Sequence, residues 1–383
     1  MGKRKVLFPD LDTPSILVDM DRLETNINAM ANMTARVGIK LRPYTKVHKS
    51  TFISELQIKA GAIGVSISKV GEARVYAEAG IKDIMIIHPF YGDHKFAALK
   101  NVLSNAKISC VVDSIKGAKG ISEVGLAVGQ KIPVLLKIDT GLKRFGVLPG
   151  DPTLKMAKDL TQIPGIELVG ILEHISAFGQ PSAEDVATAT FEACSVISST
   201  AKMLRKEGIQ IKDVAVGSTP TAAPSCRYAP YFPEITELHP GAYVFGDWMY
   251  INSFSMTEDD CAGSILVTVV SRPGLDRACI DAGTKTFGAD PLLFMAARSG
   301  GFDSWKPIFG SVKGRPDIKL TRLTEEVGIL SLGYPNKGVS IGDRLEIIPN
   351  HISLAVNMKD KIFGVRNGSI EREIPILCRG IDY

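Results

Sequence analysis

The 383-residue sequence contains no run of roughly 18 apolar residues, which leaves no ordinary membrane-spanning helix to be read from it. Its six cysteines, Cys110, Cys194, Cys226, Cys261, Cys279 and Cys378, form no CxxC pair. Most sit among apolar or small neighbours, which suits buried, reduced thiols in a reducing compartment. Charge of one sign is not in surplus either: 45 Lys and Arg against 41 Asp and Glu leave a net +4. The basic residues are scattered, so nothing points to a nucleic-acid partner or a membrane surface. The opening stretch Met1–Pro9 is basic but has only a short apolar run before Pro9, unlike a secretory leader; a cytoplasmic location is the expectation. No internal repeat and no low-complexity linker interrupts the chain.

What is present is a strict alternation. Short β-branched or apolar runs occur at Lys40–Lys46, Gly64–Ser68, Asp83–His88, Ile108–Asp113, Pro133–Asp139, Glu167–His174, Asp213–Gly217 and Thr236–Phe245. Amphipathic stretches such as Asp21–Val37, Lys69–Ala79, Asp151–Thr161 and Ala183–Glu207 lie between them. Strands alternating with helices predict parallel βαβ units, and eight such strands close a TIM-type (β/α)8 barrel; an open doubly wound sheet is the alternative. After Tyr250 the texture changes to strand-like runs, Ser264–Val270, Ala278–Asp281 and Arg344–Ile348, separated by Gly and Pro. The expected organisation is therefore an α/β barrel over residues 20–250 and a mainly β unit formed by 1–19 together with 251–383, the early run Pro14–Asp19 joining across the chain.

Chemistry in such a barrel sits at the C-terminal ends of strands. Lys46 falls at the end of the first, in the run Leu41-Arg42-Pro43-Tyr44-Thr45-Lys46-Val47-His48-Lys49. Cations crowded together lower one another's amine pKa, and a lysine with a depressed pKa can attack a carbonyl. A solvated basic turn is the bland alternative for this run. The rim also collects Asp139–Val147, His174, and Gly217-Ser218-Thr219-Pro220-Thr221. The last offers small side chains, hydroxyls and backbone N–H groups of the kind a phosphate dianion requires. A carbonyl-trapping lysine facing a phosphate cradle suggests pyridoxal phosphate.

Several motifs recur in order: Pro14–Asp19, Arg42–Lys49, Asp139-Thr140-Gly141 with Arg144 and Gly146, Asp281–Lys285, Glu325–Gly328 and Pro349-Asn350-His351. Together they resemble, over essentially the whole chain, the D-threonine aldolase and D-serine dehydratase group of fold-type III pyridoxal phosphate enzymes, relatives of alanine racemase. The resemblance implies an alanine racemase-like barrel with a β domain, and a homodimer. It implies that Lys46 is the Schiff-base lysine and that Arg144 bonds the cofactor's phenolic oxygen. His174 would be a polar residue near the ring, and Gly217, Ser218 and Thr219 the phosphate loop. Tyr243 and Asp247 would lie near the rim of the eighth strand. Arg144 read without the resemblance is a surface ion-pair partner, and His174 a satisfied core histidine.

Relatives acting on β-hydroxy D-amino acids carry a divalent metal (Mn, Mg or Zn) held by a His and by a Cys or Asp two residues later, a spacing that on a strand presents both to one face. Here the segment reads His351-Ile352-Ser353, and a serine hydroxyl is a poor ligand. The Glu325–Gly328 motif has Val327 where relatives have a histidine. The expected activity is retro-aldol cleavage of a β-hydroxy D-amino acid to glycine and an aldehyde, with His351, alone or on a metal, taking the hydroxyl proton. A D-serine or hydroxyaspartate-type dehydratase and a metal-free racemase or epimerase are the alternatives. A non-catalytic cofactor carrier is disfavoured by the long segment after the barrel.

Overall fold

A computed structural model describes residues 7–290, 308–333 and 338–383; the basic stretch Met1–Val6 lies outside the described residues. The alternation becomes eight parallel strands: β2 (Lys40–Leu41), β3 (Val65–Ile67), β4 (Asp83–Ile86), β5 (Lys107–Val112), β6 (Ile132–Ile138), β7 (Ile166–Glu173), β8 (Asp213–Val216) and β9 (Glu237–Leu238). They are hydrogen-bonded in the order β2-β9-β8-β7-β6-β5-β4-β3, and a parallel bridge from Tyr44 to Ser66 closes the ring. The surrounding helices are α1 (Met20–Arg36), α2 (Thr51–Lys59), α3 (Val70–Glu78), α4 (Asp93–Val102), α5 (Ile115–Val128), α6 (Asp151–Thr161), α7 (Ala183–Lys206) and α8 (Thr219–Tyr228). The chain turns into them on side-chain caps: Asp19 accepts from Arg22 N, Ser114 from Gly117 N and Ser182 from Asp185 N.

The strands read as near-continuous apolar runs because both their faces are covered. One face packs on the helices; the other meets at the barrel axis, where Tyr44, Met85, Ile87, Val111, Leu135, Leu172 and Ala215 form a plug beneath the rim. The eighth strand differs from expectation. Only Glu237–Leu238 is extended, and Ala242–Val244 is a 3-10 turn. Pro240 has no N–H for a ladder, and a Cβ on Gly241 would stand 2.7 Å from the carbonyl of Tyr44, so the chain passes that point as a bend.

After α9 (Trp248–Asn252) comes a nine-stranded, mostly antiparallel sheet. Its members are β1 (Ser15–Asp19), β10 (Gly263–Ser271), β11 (Arg277–Ile280), β12 (Gly310–Val312), β13 (Arg315–Leu323), β14 (Gly328–Ser331), β15 (Arg344–Pro349), β16 (Lys361–Arg366) and β17 (Ser369–Pro375). Among the described residues, two short helices interrupt it, α10 (Thr284–Phe287) and α11 (Ile352–Asn357). β1 lies inside this sheet, antiparallel to β10 and parallel to β16. β10 also pairs with β11, which curls part of the sheet into a closed ring. Among the described residues, no helix is long and apolar enough to cross a membrane.

Candidate active site

At the C-terminal rim of the eight-stranded barrel lies a cavity of about 270 Å³, lined by Lys46, Ser68, His88, Lys137, Arg144, Glu173, His174, Gly217 and His239 among others. Each comes from a strand end or the loop after it, so the fold itself gathers them. Of the residues expected from sequence, Lys46, Arg144, His174 and Gly217 meet here. Ser218 is the N-cap of α8, its hydroxyl and N–H both engaged by Thr221 Oγ1. Thr219 and Tyr243 line a separate cleft between α1, α7 and α8. Tyr243 is buried there, and its hydroxyl accepts from Gln57 Nε2 at 2.9 Å.

Lys46 sits in a 3-10 turn, Thr45–Val47, directly after β2. Its amine pKa is lowered first by burial and then by Arg144, with Asp247 opposing. The flanking cations do not share in this, contrary to the expectation from sequence. Arg42 turns into the barrel and pairs with Glu237 at 2.6 Å and Asp83 at 2.5 Å. His48 is buried, with Nδ1 accepting from Ser50 N, and Lys49 is drawn to Glu72. The charge acting on Lys46 arrives from a loop nearly a hundred positions away, on which Arg144 lies across the Phe145 ring, 4.5 Å from its centroid.

Several residues of the site were not singled out from sequence. Lys137, on β6, is buried, and its ammonium has no hydrogen-bond partner. Burial lowers its pKa to about 8, with Glu173 opposing. Glu173 is raised by the same burial, with Lys137 opposing, and accepts from Thr140 Oγ1 at 2.6 Å. Tyr44 links Ser68 Oγ at 2.5 Å to His88 Nε2 at 3.2 Å. Burial, followed by Arg144 and Lys46, pushes His88 down to about 4, so its imidazole is neutral near pH 7. His174 is lowered in the same way, by burial and then by Lys137, Lys46 and Arg144. A legible signal existed: a lysine within the apolar run Ile132-Pro133-Val134-Leu135-Leu136-Lys137-Ile138 is costly to bury unless it serves a site.

His351 and Ser353 approach from the nine-stranded sheet. They do not lie on a strand: β15 ends at Pro349, and His351 is the N-cap of α11. The two side chains accordingly part. Ser353 Oγ donates to the Lys46 carbonyl at 3.4 Å, while His351 Nδ1 lies 2.9 Å from Asp290 Oδ2. The His351 pKa is lowered by burial, against the hydrogen bond to Asp290. Asp247 ties this segment to the barrel. Fully buried, it accepts from Met249 N, Tyr250 N and Ile352 N, and burial raises it to about 7 despite those donors. Among the described residues, no group of three His, Cys, Asp or Glu side chains is placed to hold a metal ion.

Comparison with known proteins agrees along the chain. The alanine racemase N-terminal domain matches residues 18–248, and a putative serine dehydratase domain matches 262–365. A D-threonine aldolase of Arthrobacter sp is 30% identical over 376 residues, covering 97% of this chain and 93% of the relative. The D-threo-3-hydroxyaspartate dehydratase of Delftia sp. is 31% identical over 352 residues, covering 89% and 90%. The crystal structure of a D-threonine aldolase from Filomicrobium marinum matches with a TM-score of 0.87 at 27% identity, covering 100% of both chains.

Proposed function

The chain belongs to the alanine racemase N-terminal-domain family, and from that membership we propose that it is a pyridoxal phosphate-dependent lyase cleaving β-hydroxy D-amino acids, D-threonine among them, to glycine and an aldehyde. The observation that carries the reading is the pairing of a half-buried, pKa-depressed Lys46 with a His351–Asp290 couple joined to the Lys46 turn through Ser353.

The cavity suits the cofactor. Lys137 offers a buried ammonium with no partner of its own, Arg144 a guanidinium, and Gly217, at φ +112 with a Cβ that would meet Leu238, a close-packed turn into α8. Lys46 would hold its carbonyl carbon, and Arg144, His174 and Gly217 would hold its polar edge; the Ser218 N–H and hydroxyl are taken by Thr221 and the Thr219 hydroxyl by Tyr243 N, so these two brace the turn. When bound, pyridoxal phosphate supplies an electron sink for the substrate α-carbon. The residues of the chain do the rest. Burial and Arg144 lower the Lys46 amine pKa and make its proton easier to shed. With Nδ1–H of His351 donating to Asp290, Nε2 is left as the acceptor, and it takes the proton of the substrate β-hydroxyl as the Cα–Cβ bond parts.

Ser353, already doubtful as a partner for His351 at a metal, turns its hydroxyl to the Lys46 carbonyl, while His351 turns to Asp290. The assignment of residues 20–250 to the cofactor-binding unit, a homodimeric assembly and a cytoplasmic location are part of the same proposal. The dehydratase reading is supported by the 31% identity to the Delftia enzyme and by the putative serine dehydratase domain matched at 262–365. Proton NMR in deuterated buffer with pyridoxal phosphate and D-threonine, with manganese and with chelator, separates the two. Glycine and acetaldehyde are expected; 2-oxobutyrate, or deuterium at Cα without cleavage, would overturn the aldolase assignment.

A further inference from the structure

The turn that carries Lys46 is not held by the barrel alone. Lys49, three residues on, has φ 47, a conformation most side chains avoid, so something must fix it. Its ammonium, with the side chain only 12% exposed, donates to the carbonyls of Cys378 and Ile381, both at 3.2 Å, and lies 3.4 Å from Glu72 Oε1. Two of its N–H donors thus meet backbone carbonyls, and the third contact is an ion pair with a buried carboxylate oxygen. The other Glu72 oxygen accepts from Ser68 N at 3.0 Å and Lys69 N at 3.1 Å, at the start of α3. Ser68 and Lys69 line the Lys46 cavity from the neighbouring strand end.

The Cys378–Tyr383 segment reaches this cluster from beyond β17. Cys378 N donates to the Lys49 carbonyl at 3.2 Å, and Gly71 N donates to the Tyr383 carbonyl at 3.0 Å. Contact at Gly71 is close: a Cβ there would stand 2.8 Å from the Tyr383 ring and 3.0 Å from Ile381. Lys49 N in turn donates to the Thr45 carbonyl at 2.8 Å, closing the turn around Lys46.

Resting on the lyase reading, we infer that Lys49 is a positioning residue of the site and that the Cys378–Tyr383 segment is a strap acting through it. One ammonium contacts three pieces at a single point, adding to the pairwise bonds between them: the Lys46 turn, the Ser68–Lys69 rim and a segment from the far end of the chain. Docking of the strap therefore fixes the Lys46 turn against the neighbouring Ser68–Lys69 rim. A water-accessible, loosened turn would also relieve the burial that depresses the Lys46 amine.

Two variants of the holoenzyme test this from opposite sides. Lys49→Met removes the ammonium; Gly71→Val pushes the strap away while leaving Lys49 intact. In each, amide hydrogen exchange in Thr45–Lys49 and in Ser68–Lys69 should accelerate by about tenfold or more, with α6 unchanged. The pH midpoint of the bound pyridoxal phosphate absorbance should also move, a signature that general destabilisation does not produce. Unchanged protection of Thr45–Lys49 in both variants would overturn the inference. So would an equal loss of protection in α6, or a midpoint identical to the parent's. No substrate enters these measurements, so a failure of the aldolase assignment, seen as no cleavage of D-threonine, is read separately.

Discussion

Replacing Arg42 with methionine should destabilise this protein by about 3–5 kcal/mol, the cost of leaving a buried charge without its partner. Arg42 and Glu237 are 5% and 2% exposed, and the guanidinium Nε lies 2.6 Å from Glu237 Oε1. A second N–H reaches Asp83, while His239 Nε2 stands 2.7 Å from the same Glu237 oxygen and its Nδ1 2.8 Å from Ser66 Oγ. Methionine fills the space of the aliphatic stem but cannot answer the carboxylate. Space for water is scarce, since even a Cβ on Gly64 would come within 2.7 Å of Arg42 Nη1. Burial works against the Glu237 charge, but His239 and Arg42 outweigh it and hold the group down to about 2. A depressed carboxylate contributes stability that is present above about pH 4.5 and lost as pH falls through about 2. Arg42→Met should therefore also flatten the decline in stability between those values. Urea unfolding at pH 7 and pH 3.5 measures both effects. Adding Glu237→Gln to Arg42→Met should recover a substantial part of the loss, giving a non-additive cycle. A single-variant cost under about 1 kcal/mol, or strict additivity, would refute the argument that this pair is energetically isolated from water.

Arg144→Met should raise the Lys46 amine pKa and carry the acidic limb of the pH–rate profile with it; Arg42→Met, in molecules that remain folded, should not. An equal shift in both would restore the sequence neighbours as the cause. Asp247→Ala removes the acceptor for three backbone N–H groups on α9 and α11 and should cost about 1–3 kcal/mol by urea unfolding. Because the folded pKa of Asp247 is raised to about 7, its proton-linked stabilisation is complete below the unfolded value and lost as pH rises through 7. The parent should consequently show a fall in stability between about pH 4 and 7 that Asp247→Ala lacks, and identical pH profiles would count against the assignment.

The barrel was legible because its strands are short apolar runs at regular intervals, and the rim rule then converts positions into neighbours. Lys46, Arg144, His174 and Gly217 were found this way. What stayed hidden were properties set by contacts between segments distant in sequence. Arg42 next to Lys46 looked like the source of its depressed pKa, yet its fork is spent on Glu237 and Asp83. The His351–Ser353 spacing suggested one face of a strand, but with β15 ending at Pro349 the same spacing falls on a helix start and separates the two side chains. Lys137 was passed over as part of a strand, though a lone cation in an apolar run was itself the signal. Asp281 and Glu325, conspicuous as motif residues, serve the scaffold. Asp281 accepts from Thr268 N and Thr13 Oγ1, and Glu325 gives its carbonyl to Lys285 N beneath a glycine with no room for a side chain.

The position of β1 bears on how the chain is made. It is translated before α1 and the whole barrel, yet its two neighbours, β10 and β16, emerge only afterwards, and β16 among the last strands. On the ribosome the barrel can complete its ring while Ile16-Leu17-Val18 stays an unpaired apolar ribbon at its side. That ribbon is a strand edge with both hydrogen-bonding flanks open, the kind of surface that recruits another nascent chain or a chaperone. Slowing translation between the barrel and β10 should therefore raise aggregation, whereas relocating residues 7–19 behind β17 on a flexible linker would remove the wait altogether.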